Sequence, residues 1–194
     1  MDIDSFLRDP LSRRRFFQTS GIGFASGSAV FLAACGDDDK AGSADGDADR
    51  DLADVEILNG ALDLELMVVA AYKEGAALLR GGVLQIAKDL LEHEQEHADA
   101  LVSAIKDAGG RPNRTKSSYD FPAWRSQSDV LTSAVELENT AVAAYIDALP
   151  KLTESDLRGT VAAILTSEAE HIALLRGALD LPPVPSAFVT GEVR

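Results

Sequence analysis

One pattern occurs twice in this chain of 194 residues and limits what it can fold into. Glu65 stands seven residues before Tyr72, and Glu138 seven before Tyr145; Glu94 stands three before His97, and Glu168 three before His171. The second copy follows the first by 73 residues for the Glu–Tyr pair and by 74 for the Glu–His pair. Two unrelated amphipathic hairpins could share an apolar rhythm by accident. They would not also be expected to align eight polar residues in four matched pairs.

The spacing is helical. Glu65 has Leu58, Ala61, Leu62, Val68, Val69 and Tyr72 at the positions that share its helix face, and Glu138 has Leu131, Ala134, Val135, Ala141, Val142 and Tyr145. Glu94 lies among Leu90, Leu91, Ala98 and Leu101, and Glu168 among Ile164, Leu165, Ile172 and Leu175. Glycine pairs and prolines divide the chain into four such helices. The first is expected from about Leu52 to Leu79, ending at Gly81-Gly82, and the second runs on to about Ala108 before Gly109-Gly110 and Pro112. The third spans about Ser128 to Leu149, and the fourth runs from Thr153 or Ser155 to about Ala178. The fold class expected is all-α, a four-helix bundle of two antiparallel hairpins.

Each stripe therefore carries a carboxylate into the core. Four ionised carboxylates buried without partners would cost several kcal/mol each. No Lys or Arg lies on the stripes near them. Either the carboxyls are protonated or a cation compensates, and two metal ions would do so well. Residues Arg111 to Ser126, with two prolines and the aromatic anchors Tyr119, Phe121 and Trp124, read as a long connection. At about 3.3 Å per residue it can run the length of a helix of about 30 Å. A crossover of that kind lets Glu65, Glu94, His97, Glu138, Glu168 and His171 converge at mid-bundle. An oxygen-rich set with two imidazoles suits iron or manganese. One E-x-x-H is a weak signal; two in register with two stripe glutamates are a strong one.

At these residues the chain resembles the ferritin-like di-iron proteins, which include bacterioferritins, rubrerythrins and manganese catalases. Residues Leu58 to Glu65 and Glu94 to Leu101 look most like the ferritin-like domains of exported bacterial proteins. The resemblance implies that Glu65 and Glu138 are terminal ligands, Glu94 and Glu168 bridging ligands, and His97 and His171 one nitrogen ligand for each of two iron ions, or of two manganese ions. It also implies that Tyr72 and Tyr145 hydrogen-bond ligand carboxylates of the opposite half; the alternative is a pair of ordinary core tyrosines. His93 lacks the preceding glutamate and reads as a rim or surface residue, with Glu92 and Glu96 solvated. The chain departs from rubrerythrins at Val135, where they carry a further ligand glutamate, and no cysteine-rich module follows.

Before the bundle, Ser12-Arg13-Arg14-Arg15-Phe16-Phe17 precedes an apolar stretch, Gly21 to Ala34, that ends in Leu32-Ala33-Ala34-Cys35-Gly36. This resembles a twin-arginine export signal, carried by Arg13 and Arg14, joined to a lipoprotein box in which Cys35 takes the lipid. The domains expected are a signal peptide over 1–34, a flexible acidic linker over 35–52, a ferritin-like bundle over 53–181 and a tail over 182–194. The linker is rich in Asp, Gly, Ala and Ser and lacks apolar residues to bury. The location implied is the cell envelope, outside the cytoplasmic membrane and attached to it through lipid on Cys35.

A formal charge of −14 argues against nucleic acid as a partner and does not oppose metal ions. A single cysteine excludes an internal disulfide and multi-thiolate clusters. The expected function is oxidation of ferrous iron or consumption of O2 or peroxide at the metal pair. Two other readings stay open: dimanganese catalase-like activity, and a non-catalytic envelope binding or structural module whose metals only tie the bundle together. A monomer or dimer is expected rather than a storage cage.

Overall fold

The computed structural model describes residues 44–192, with side chains from residue 52. The expected signal peptide, Arg13, Arg14, Cys35 and the first half of the linker lie outside the described residues. Four long helices make up the fold: α1 (Ala44–Gly75), α2 (Gly81–Asp107), α3 (Gln127–Ala148) and α4 (Ser155–Ala178), with a 3-10 turn at Ala76–Leu78. Among the described residues there is no strand, and no helix is long and apolar enough to cross a membrane.

α1 packs on α2 and on α3, and α4 packs on α3 and on α2, so α1 and α4 are diagonal. The hydrogen bonds between chain ends set the directions. Backbone Arg80 N–H donates to Gln127 Oε1 at 3.0 Å, which puts the start of α3 beside the end of α1. At the other end of the bundle, Asn59 Nδ2 donates to Arg111 O (3.2 Å) and Asn113 N–H to Asn59 Oδ1 (2.7 Å). The connection from α2 to α3 thus runs the full length of the bundle, making α1 and α3 antiparallel. Along it Tyr119, Phe121 and Trp124 stack, with ring centroids 5.8 and 5.2 Å apart, and Trp124 Nε1 donates to Ser133 Oγ at 2.9 Å.

Local chemistry explains two of the helix ends. Ser126 and Asp129 form a reciprocal capping box at α3. α2 closes with Gly110 N–H on Ile105 O (2.8 Å) and Gly109 N–H on Lys106 O (2.9 Å), with Gly109 at φ +75°. That is a Schellman close, which favours glycine at the left-handed position. α4 is capped from across the fold. The fully buried Asp54 of α1 accepts from Thr153 N–H, Thr153 Oγ1–H and Glu154 N–H at 2.7–3.2 Å. Its negative charge sits at the positive end of the helix dipole.

Two elements differ from the sequence-based expectation. α1 begins at Ala44, so the last nine residues of the expected flexible linker, 44–52, are helical. Extending an existing helix costs far less than nucleating one, and a packed α1 supplies the nucleus. Gly81-Gly82 does not end the first helix but opens α2. The first hairpin turn lies earlier, where Arg80 Nη1 takes the carbonyls of Ala77 and Leu79, both at 2.7 Å. Gly75 is needed there for space: a Cβ on it would lie 2.5 Å from Val130 Cγ1 of α3.

After α4 the chain folds back over α3 and α4. Leu181 N–H donates to Arg176 O and Arg176 Nε to Pro182 O, and Gly191 comes to rest against Ala143. The main core holds Leu58, Leu62, Leu90, Leu101, Val142 and Leu175, none more than 1 % exposed.

Candidate metal centre

The apolar stripes that bury these helices also bury their glutamates. Glu65 of α1, Glu94 of α2, Glu138 of α3 and Glu168 of α4 are each 0 % exposed, and His171 is 1 % exposed. His97 is the most accessible of the six, at 12 %. Each histidine lies one turn after the glutamate of its own helix, so both point inward from α2 and α4.

The six meet as two overlapping sets. Glu65, Glu94, His97 and Glu168 offer one ligand atom each within 4.8 Å of one another, and so do Glu94, Glu138, Glu168 and His171. Glu94 and Glu168 belong to both. His97 Nδ1 lies 2.9 Å from Glu168 Oε1, 3.6 Å from Glu94 Oε2 and 3.8 Å from Glu65 Oε2. His171 Nδ1 lies 2.8 Å from Glu94 Oε1, 3.3 Å from Glu168 Oε2 and 3.8 Å from Glu138 Oε1.

These contacts are close, yet they are not aligned as hydrogen bonds. Among the described residues, the buried side-chain atoms without a hydrogen-bond partner are eight, and all belong to these six residues. They are Glu65 Oε2, Glu138 Oε2, both carboxylate oxygens of Glu94 and of Glu168, and Nδ1 of His97 and of His171. Native cores rarely leave such atoms unpaired, because each costs about 1–3 kcal/mol. Eight converging on one place fit a site for metal cations. Ligand atoms about 2.1 Å from a shared ion lie at most about 4.2 Å apart, and the histidine–carboxylate contacts of both sets, 2.8–3.8 Å, fall inside that limit.

The remaining oxygens of the two outer glutamates are held across the bundle. Tyr72 of α1 donates to Glu138 Oε1 at 2.6 Å, and Tyr145 of α3 donates a short hydrogen bond to Glu65 Oε1. Each hairpin therefore orients a carboxylate of the other. Burial, together with the charge of Glu138, pushes the Tyr72 hydroxyl well above its ordinary value; burial and Glu65 do the same for Tyr145. Both stay neutral donors.

Without cations, protons take up the charge. Burial and the neighbouring Glu138 push Glu94 up to about 9 and Glu168 up to about 8. Burial opposes charge on His97 and His171 too, but contacts with the surrounding carboxylates outweigh it and push both up to about 12. For Glu138 burial is likewise outweighed, by His171, Glu168 and the Tyr72 hydroxyl, and its carboxyl is held below the usual range.

Two residues beside this centre make contacts that the sequence reading did not assign: Ser167, which it passed over, and His93, which it placed at the rim or surface. His93 is exposed, yet its Nδ1 lies 3.1 Å from His171 Nε2 and its ring stacks on His171, with centroids 5.3 Å apart. Ser167 Oγ lies 3.2 Å from the same nitrogen. Their sequence signal was present but unread: each directly precedes the glutamate of an E-x-x-H motif. Glu92 and Glu96 are exposed.

Residues 53–181 match the sequence model of the ferritin-like domain family. The chain belongs to the ferritin-like domain family. Among solved structures, this ferritin-like chain is similar to a conserved hypothetical protein, rv2844, of Mycobacterium tuberculosis. That likeness has a TM-score of 0.63 at 23 % identity, covering 73 % of this chain and 99 % of the other, and it speaks for the fold alone. No curated protein matches the sequence. The bundle and a carboxylate–histidine cluster suited to metal are thus features of a ferritin-like domain.

Proposed function

We propose that this ferritin-like protein holds a carboxylate-bridged pair of iron ions and uses it in redox chemistry outside the cytoplasm, oxidising ferrous iron or consuming O2 or peroxide. The observation that carries the reading is the set of eight buried, unpaired donor atoms drawn from all four helices. Glu65 and His97 would serve one ion and Glu138 and His171 the other, with Glu94 and Glu168 shared. Bound iron would supply the electrons for that chemistry. The chain would supply a fixed donor set, oriented by Tyr72 and Tyr145, inside a core that excludes bulk water. The 12 % exposure of His97 makes that side the approach for small molecules. Anchoring through lipid on Cys35, after export directed by Arg13 and Arg14, belongs to the same proposal and rests on the sequence motifs.

The test is elemental analysis of the chain purified without chelators, beside Glu94→Ala and His171→Ala. About two irons per chain, lost in both variants, would support the reading and justify assays of oxygen and peroxide turnover. Two manganese ions instead would turn the reading to dimanganese chemistry. A wild type that carries no metal and cannot be loaded with iron or manganese would sink it.

A further inference from the structure

The two halves repeat each other in sequence but not in how they treat their histidines. Since Glu94 and Glu168 are equivalent, the residues just before them, His93 and Ser167, are equivalent as well. In a symmetric bundle each would support the histidine of one half. Here both come to the same atom, Nε2 of His171, at 3.1 and 3.2 Å. Among the described residues, no hydrogen bond reaches Nε2 of His97, the more exposed ring.

The chemistry of a metal-bound imidazole gives this asymmetry a consequence. Nδ1 of His171 faces Glu94 and Glu168 on the inner side. A ring that offers Nδ1 to a cation keeps its proton on Nε2, and that N–H needs an acceptor. His93 Nδ1 can accept it only as the tautomer with its own proton on Nε2, which its exposed position leaves open to water. The stacked rings, 21° from coplanar, fix the rotation of His171 as well as its tautomer.

We propose that His93 is a positioning residue for His171, holding its ring with Nε2–H outward and Nδ1 inward, so that the Glu138–His171 half is the tighter of two unequal metal positions. The proposal rests on the metal reading above. His93 itself is not a ligand; it acts through the ring it holds.

The experiment is a calorimetric titration of the metal-free chain with Co(II), in wild type, His93→Ala and His93→Asn, with proton NMR of the loaded protein. Asn places Oδ1 where Nδ1 of His93 sits and can accept the same hydrogen bond. Two unequal binding steps are expected for wild type. His93→Ala should weaken the tighter of them by about 10–100-fold, the usual effect of losing a partner behind a ligand, and leave the other in place. It should also lose a shifted, slowly exchanging ring N–H signal. His93→Asn should restore both the affinity and the signal. Two Co(II) bound with both steps unchanged in His93→Ala overturns the proposal and leaves the metal reading standing. Equal weakening of both steps, or failure of His93→Asn to rescue, also overturns it, since either would make His93 a general packing residue. If wild type binds no Co(II), the metal reading falls and this proposal falls with it.

Discussion

The protons that fill the metal-free centre make its metal affinity steeply dependent on pH. At pH 7 Glu94, Glu168, His97 and His171 all lie below their shifted values, so each holds a proton that a ligand to metal must give up. Two divalent ions bring four positive charges, matching those four protons. Binding both ions near pH 7 should therefore release about four protons, and the logarithm of the overall binding constant should rise by about four per pH unit. Above about 9, once Glu168 and Glu94 have ionised, the slope should fall to about two, the share of His97 and His171. The assay is chelator competition from pH 6 to 10, with proton release checked by calorimetry in buffers of different ionisation heat. A slope below about one per ion at pH 7 would refute the view that protons occupy the ligand atoms in the absence of metal.

The metal-free fold should show the opposite sign. All four groups have folded values above their ordinary ones, so their contribution is full at low pH and is lost as pH rises through the folded values. Glu138, held low, contributes above the ordinary glutamate range and loses its contribution as pH falls. The melting temperature of the metal-free protein should therefore fall between pH 6 and 9, while that of the metal-loaded protein should not.

Three substitutions test other parts of the structure. Tyr72→Phe removes the donor to Glu138 and leaves that oxygen buried without a partner, which should weaken metal binding by about 10–100-fold in a competition assay; unchanged affinity would mean the hydroxyl does not orient the carboxylate. Asp54→Ala strips the cap from α4 and should cost about 1–3 kcal/mol in urea unfolding while metal stoichiometry is kept, because Asp54 is at the far end of the bundle from Arg80 and Gln127 and is no part of the ligand sets. Gly75→Ala drives a methyl into Val130 and should cost about 1–3 kcal/mol, with most of the loss recovered when Val130→Ala is added; no recovery would rule out the clash as the cause.

Local sequence carried a good deal of this structure. The six residues of the centre were legible because a carboxylate inside an apolar helical stripe breaks the pattern that buries it, and the break occurred four times in register. The stop at Gly109-Gly110 was equally local. What stayed hidden depends on distant parts of the chain. Asp54 caps a helix through Thr153, 99 residues later in sequence, and His93 meets a ring 78 residues away. Gly81-Gly82, read as the end of the first helix, was misassigned for a different reason. Glycine marks a place where φ is free but not whether a helix ends or begins there, and the Arg80 side chain decided it by closing the carbonyls just before.

The arrangement also explains why a centre so costly without cations belongs to a duplicated fold. Each ligand set draws on three helices: α1, α2 and α4 for Glu65, Glu94, His97 and Glu168, and α2, α3 and α4 for Glu94, Glu138, Glu168 and His171. Neither hairpin alone can complete a set, and the tyrosines cross between hairpins as well. Cations bound there would act on the docking of the two hairpins rather than on either one. Their binding energy would then add to the stability of the whole bundle by mass action, and removing them would leave protons on Glu94, Glu168, His97 and His171 to take up the charge. The long crossover serves that design. Its length lets α3 start beside the end of α1, which sets all four glutamates at one level.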